Sequence, residues 1–171
     1  MFETERLLIR KFTYGDLPKL IELRADEEVI RFLGGRRLQN PEMIEKRLRY
    51  YLDCYAKFGY GMCAMHWKPT GELIGWSGLQ PLEESGETEV GYGMIKEFWG
   101  RGIGYECARA WLDYAFTKTA TERIVAVAAP ENTGSWRIME KCGMRYEKTA
   151  EHYGFECVFY GISRDEYLLR V

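Results

Sequence analysis

The most constraining feature of this sequence is the run Glu89-Val90-Gly91-Tyr92-Gly93-Met94-Ile95-Lys96-Glu97-Phe98-Trp99-Gly100-Arg101-Gly102-Ile103-Gly104-Tyr105-Glu106. It reads as a strand that passes through three alternating glycines into a helix. Beyond it Ile103, Cys107, Ala108, Trp111, Leu112, Ala115 and Phe116 recur on one face, with Glu106, Arg109 and Asp113 opposite, the signature of an amphipathic helix. A strand, a glycine turn and a helix start in that order form an anion site. The first-turn N–H groups have no intrahelical acceptor, the helix dipole places partial positive charge there, and glycine lets the backbone approach an oxygen. A diphosphate is the natural ligand, to which Arg101 adds a charge and the loop backbone an anion nest.

That turn is compatible with a purely structural role, a dinucleotide site of Rossmann type, or a coenzyme A pyrophosphate site. The Rossmann fingerprint Gly-x-Gly-x-x-Gly fits poorly, because Tyr105 stands in its last place and Gly104 falls one residue early. Glu131 imitates the ribose-binding acid, but too few βα units follow for a doubly wound sheet.

The rest of the chain reads as one mixed α/β domain, residues 1–171. Leu7-Leu8-Ile9 is strand-like, and Gly15-Asp16 supplies a turn and an N-cap for a helix carrying Leu17, Leu20, Ile21 and Leu23. Asn40-Pro41 is a cap with proline at the first helical position. It opens a helix of about four turns through Ile44, Leu48, Tyr51, Leu52 and Tyr55. Between these helices Gly34-Gly35-Arg36-Arg37 is a basic loop, either a solvated connector or a lip of the substrate site. Residues 60–82 form a hairpin around Lys68-Pro69-Thr70-Gly71, and a strand over 88–95 extends it to a meander. Gly91 and Gly93 inside that strand signal a bulge or a close backbone approach. A short strand over 123–129, a helix over 135–142 and strands over 144–148 and 155–162 complete the chain.

Lys plus Arg (24) nearly balance Asp plus Glu (26), which argues against a nucleic-acid-binding role. No apolar run reaches the roughly 18 residues that cross a membrane, and the acidic N-terminus is unlike a secretory signal, so a cytoplasmic protein is expected. Cys54, Cys63, Cys107, Cys142 and Cys157 are odd in number and include no C-x-x-C pair, so they read as buried apolar residues. His66 (a strand residue) and His152 (a loop residue) lack ligands at metal spacing, and no metal is expected. Oligomeric state leaves no signature.

Four segments together resemble the GNAT superfamily of N-acetyltransferases over nearly the whole chain. They are Thr4-Glu5-Arg6-Leu7-x-Ile9-Arg10, Glu89-x-Gly91-Tyr92, Trp99-Gly100-Arg101-Gly102-Ile103-Gly104-x-Glu106, and Asn132-x-x-Ser135-x-Arg137-Ile138-Met139-Glu140-Lys141-x-Gly143-Met144. Within the superfamily they are similar to the branch of the ribosomal-protein alanine acetyltransferases RimJ and RimL. Gly102 and Gly104 match the glycines of the family's turn pattern, whereas Trp99 stands where Arg or Gln is typical. The resemblance implies a central, mostly antiparallel sheet with two splayed parallel strands, flanking helices, and the pantetheine arm of acetyl-CoA between the splayed strands. By the same carry-over, backbone groups of Met94 and Ile95 would pair with pantetheine. Gly100, Arg101, Gly102, Ile103, Gly104 and Tyr105 would hold the pyrophosphate, and the Asn132 side chain, equally readable as a helix cap, would contact the pantetheine amides.

The resemblance also implies the chemistry: an amine attacks the thioester in a ternary complex. Many members place a tyrosine acid where this chain has Met139. Ser135 is the substitute acid, or simply an early helix residue, and Glu89 is the candidate base, or an exposed strand carboxylate. Tyr92 is a second candidate for positioning substrate. The acceptor is a protein N-terminus, a polyamine, an amino sugar or another small amine. Glu83, Glu84 and Glu87 form an acidic cluster that could attract a cationic one. Met139 also keeps open a coenzyme A-binding regulatory module with little turnover.

Overall fold

The computed structural model describes residues 2–35, 39–83 and 85–169. Eight strands form one sheet: β1 (Phe2–Glu3), β2 (Leu7–Lys11), β3 (Met62–Trp67), β4 (Glu72–Pro81), β5 (Thr88–Met94), β6 (Arg123–Ala128), β7 (Arg145–His152) and β8 (Phe155–Ser163). Their order is β1-β2-β3-β4-β5-β6-β8-β7, and only β5 and β6 run parallel. The helices are α1 (Leu17–Leu23), α2 (Glu27–Ile30), α3 (Pro41–Phe58), α4 (Ile103–Lys118), α5 (Thr133–Lys141) and α6 (Arg164–Leu168). The expected mixed α/β, mostly antiparallel architecture is therefore the one observed. The parallel pair exists because α4 returns the chain from the end of β5 to the start of β6, the crossover such a pair requires.

Alternation along the strands sends side chains to two separate cores. Cys63 and Met65 of β3 join Leu7, Ile9, Ile74 and the apolar face of α4, where Cys107, Trp111, Leu112, Ala115 and Phe116 are buried. Their neighbours Met62 and Ala64 face the other way, against Leu20 and Leu23 of α1 and Ile44, Leu48 and Tyr51 of α3. All five cysteines are buried and none forms a disulfide.

Several local expectations are refined. The Asn40 side chain accepts from the Met43 N–H at 3.0 Å and Pro41 follows, as the cap pattern implies. The helix then runs 18 residues, longer than four turns, and stops at Gly59 with φ 77°. Asp16 holds the N-cap position of α1 but makes no side-chain cap bond there. Its carboxylate accepts from Arg10 Nη1 and Nη2 at 2.8 and 2.6 Å and from the Thr13 N–H at 2.8 Å. The Arg10 guanidinium, opposed by burial, draws its pKa down to about 2. His152 ends β7, buried against Phe159, and is no loop residue. Along β4–β5 the register runs unbroken from Gly75↔Met94 to Pro81↔Thr88, so the β5 glycines mark no bulge. They mark close approach: a Cβ on Gly93 would lie 2.3 Å from the Trp76 ring of β4. Among the described residues no helix is long and apolar enough to cross a membrane.

Candidate active site

The glycine turn is built as the sequence requires. Gly100 and Gly102 sit in the left-handed region, with φ 70° and 77°, where a side chain is strained. Gly102 immediately precedes α4, and the first helical hydrogen bond runs from the Glu106 N–H to the Gly102 carbonyl at 3.0 Å. The N–H groups of Ile103, Gly104 and Tyr105 therefore have no acceptor within the helix and face its open end. Gly104 has a different reason to be glycine: a Cβ there would lie 2.6 Å from Ile138 Cδ1 of α5, so the end of the Ile138 side chain would have to shift. Arg101 stacks over Phe98, 5.4 Å from the ring centroid.

The opening Thr4-Glu5-Arg6 stretch meets this turn across the molecule. Arg6 Nη1 donates to the Arg101 carbonyl at 2.9 Å and Arg6 Nε to Glu106 Oε2 at 2.6 Å. Glu106 Oε1 also accepts from the Arg6 N–H at 2.9 Å and from Thr4 Oγ1 at 2.5 Å. Burial opposes ionisation of Glu106, but these donors prevail and hold its carboxyl below the usual range. Trp99, the departure from the family's turn pattern, donates its indole N–H to the Met94 carbonyl at 2.9 Å, pinning the turn to the end of β5. The Ile95 N–H is already bonded to the Ile74 carbonyl of β4 at 3.0 Å. Because strand backbone groups alternate in direction, the Met94 N–H points to the opposite, β6 side.

β5 and β6 are paired only at Glu89↔Val125. Beyond that point they part, and a cavity of about 360 Å³ opens between them, lined by Gly91 and Tyr92 on one side and Val127 to Ala129 on the other. Glu89, the β5 residue at the pairing point, lines it. It is 5% exposed, which overturns its reading as an exposed strand carboxylate. Its Oε2 accepts from Gln80 Nε2 at 2.9 Å and, in a short hydrogen bond, from the Tyr153 hydroxyl. Tyr153 has φ 55°, the one described non-glycine residue in the left-handed region, a strain that the turn between β7 and β8 sustains so that its ring reaches Glu89. Burial and the Glu89 charge push the Tyr153 phenol far up, so it stays protonated as a donor.

The opposite wall carries Ser135 in the first turn of α5. The Tyr92 hydroxyl donates to the Ser135 carbonyl at 3.1 Å and lies 3.3 Å from Ser135 Oγ. Burial raises the Tyr92 pKa well above its ordinary value. Asn132 caps α5, its Oδ1 accepting from the Ser135 N–H at 3.3 Å, so the cap reading holds. Met139 is buried and lines the same cavity.

The sheet brings Glu89, Ser135 and Tyr92 to one cavity, while the turn 100–105 lies apart at the mouth of α4. Sequence reasoning missed Tyr153, Gln80, Arg24 and Arg47, which also line the cavity. Tyr153-Gly154 carried a turn signal and nothing more, and Arg47 sits in a charge-rich helix that reads as a solvated face. Of the acidic cluster, Glu83 lines the cavity, Glu87 pairs with Arg123 at 3.1 Å, and Glu84 lies outside the described residues, as do Arg36 and Arg37 of the expected lip. Phe32 and Leu33, which precede that loop, do line the cavity.

Residues 6–145 match the acetyltransferase (GNAT) domain. The chain belongs to the GNAT acetyltransferase family. It is 34% identical over 149 residues to the YkkB protein of Bacillus subtilis (strain 168), covering 85% of this chain and 86% of that one. The crystal structure of an acetyltransferase from Agrobacterium tumefaciens str. C58 superimposes with a TM-score of 0.82 at 25% identity, over 94% of this chain and 92% of that one. The fold is also that of a spermidine N-acetyltransferase from Vibrio cholerae in complex with CoA and spermine. That match has a TM-score of 0.76 and 19% identity and covers 96% of this chain and 99% of the other. In this GNAT chain the side of the cavity that holds Met139 carries the Ser135 hydroxyl, and the Tyr92 hydroxyl of β5 reaches to 3.3 Å from it.

Proposed function

We propose that the protein transfers the acetyl group of acetyl-CoA to a primary amine by direct attack within a ternary complex. The observation that carries this reading is the parting of β5 and β6 beyond Glu89↔Val125, with a buried carboxylate on one wall of the gap and the Ser135 hydroxyl, 3.3 Å from that of Tyr92, on the other. The pyrophosphate fits the unbonded N–H groups of residues 103–105 behind Gly102, and the Met94 N–H facing the gap suits a pantetheine carbonyl. Asn132 spends one side-chain lone pair on its cap and keeps its amide N–H₂ for pantetheine. Coenzyme A in the Vibrio cholerae relative's structure supports the same cosubstrate here.

In this reading Glu89, directly or through water, accepts the proton of the attacking amine, and Tyr153 and Gln80 orient the carboxylate. Ser135, backed by Tyr92, protonates the departing thiolate, the role that Met139 cannot fill. A covalent acetyl-cysteine has no support, because burial pushes the Cys142 thiol up to about 12 and the Cys63 thiol to about 11. The motifs shared with the RimJ/RimL-like branch favour an α-amine as acceptor. An α-amine with pKa near 7.7–8.0 loses its proton at pH 7 for roughly 1.4 kcal/mol, against roughly 4.6 for a lysine-like amine near 10.4.

The reading is tested by incubating the protein with acetyl-CoA and a panel of α-amines, polyamines and amino sugars while following free thiol. Amine-dependent thiol release together with an acetylated product is expected. Tight coenzyme A binding with no release above the amine-free rate for any amine would instead leave a binding module.

A further inference from the structure

The cavity contains two guanidinium groups that acetyl transfer alone does not use. Arg24, at the C-terminal end of α1, is 3% exposed. Its guanidinium lies 3.9 Å from the centroid of the Trp76 ring, donates from Nη1 to Gln39 Oε1 at 2.7 Å and from Nη2 to the Tyr51 hydroxyl at 3.3 Å. Its Nε is buried and has no hydrogen-bond partner among the described residues. Arg47 of α3 lines the same cavity, interacts with the same Tyr51 hydroxyl, and also has a buried, unbonded Nε. Among the described residues neither arginine forms an ion pair with a carboxylate. Glu83 acts on Arg47 only through space.

This arrangement is costly for Arg24, whereas for Arg47 burial is outweighed by Tyr51, Tyr153 and Glu83, which favour its charged form. A buried guanidinium ordinarily has a carboxylate or several carbonyls to replace its lost water. Arg24 has two neutral acceptors and an aromatic face, and the charge of Arg47 acts on it unfavourably. An oxyanion between the two would supply the missing charge and the missing acceptors at once, and a guanidinium fork matches a carboxylate or phosphate geometrically. A polyamine or amino sugar would find Glu83 and Glu89 in the same cavity but would bring positive charge beside the two guanidiniums.

We propose that the acceptor is a primary amine that also carries an oxyanion, a carboxylate or a phosphate, and that Arg24 and Arg47 bind this group while the amine is presented to Glu89. The assignment rests on the acetyltransferase reading and deepens it. Arg24 and Arg47 are specificity-determining residues that would contact the oxyanion and not the reacting atoms.

The test uses matched acceptors on the full chain: L-phenylalanine against L-phenylalaninamide for the carboxylate, O-phosphoethanolamine against ethanolamine for the phosphate, and spermidine as the cationic arm. Thiol release gives kcat/KM for each. At least one anionic acceptor should exceed its neutral partner by about tenfold or more, and Arg24→Gln and Arg47→Gln should collapse that ratio through KM. Arg47 is only half-buried, so Arg47→Gln keeps the test open where Arg24→Gln fails to fold. In parallel, calorimetry with coenzyme A saturating measures the binding of malonate and of inorganic phosphate to the parent protein and to both variants. Anion binding that the variants lose supports the site even where no amine of the panel is acetylated, an outcome that would count against the acetyltransferase reading alone. Neutral or cationic acceptors equal to the anionic ones, with no anion binding in the calorimeter, would overturn the assignment while leaving amine acetylation standing.

Discussion

At the residue scale the decisive group is Glu89, whose position is defined by Gln80 on the neighbouring strand and Tyr153 from a distant turn. A carboxylate so buried and so fully oriented is either a scaffold or a proton acceptor, and the two roles separate experimentally. If Glu89 accepts the amine's proton, Glu89→Gln should lower turnover by about 10²–10⁴ and remove the acid limb of the pH–rate profile. The isosteric amide should leave acetyl-CoA affinity unchanged in calorimetry. An acid limb that persists in Glu89→Gln would reduce the residue to a structural partner of Tyr153. Gln80 and Tyr153 are positioning residues in this account. They were illegible in the sequence because neither lies within eight residues of Glu89 and only the pairing of β4 with β5 and the β7–β8 turn brings them together.

At the element scale the turn between β5 and α4 uses two glycines for two different physical reasons. Gly102 is left-handed at φ 77°, so a β-branched residue there costs about 1–3 kcal/mol of strain and misaims the N–H groups behind it. Gly104 is helical and faces the end of the Ile138 side chain, so a valine there overpacks the contact between α4 and α5. Gly102→Val should therefore weaken acetyl-CoA binding in calorimetry with a modest change in Tm, whereas Gly104→Val should lower both. Arg101→Ala should weaken binding least, since the Arg101 side chain lies over Phe98 and the site is made of backbone. Affinity that survives Gly102→Val and falls with Arg101→Ala would move the anion site off the backbone. The sequence displayed both glycines but gave them one common reason, because the approach of α5 to α4 is a tertiary contact.

At the scale of the whole molecule the first residues of the chain are tied to the start of α4 by Glu106, which receives Thr4 and Arg6 from 102 and 100 residues away in the sequence. This clamp explains why the opening stretch and the helix start belong together: the first braces the turn that the second forms. Because the folded pKa of Glu106 is depressed, its stabilising contribution is present above the ordinary carboxyl range and is lost as pH falls through the folded value. Glu106→Gln should cost about 1–3 kcal/mol at neutral pH, a fall of a few degrees in Tm. The variant should also lose less stability than the parent between neutral and acid pH, as thermal melts across that range would show. Equal acid sensitivity in both would place the titrating clamp elsewhere.

The sequence alone determined most of the elements and the glycine turn, because apolar period, caps and glycines act within a few residues. The interior face of α4, the Asn40-Pro41 start of α3 and the meander were all readable on that local physics. The tertiary structure decided what fills the cavity. The burial of Glu89, the reach of Tyr153 and the meeting of Arg24 with Arg47 depend on sheet order and on helices packing over it from segments tens of residues apart. A charged side chain carries no local mark of whether water or protein will surround it, so Arg47 reads as solvated on its helix until Tyr51, Arg24 and the parted strands are placed beside it.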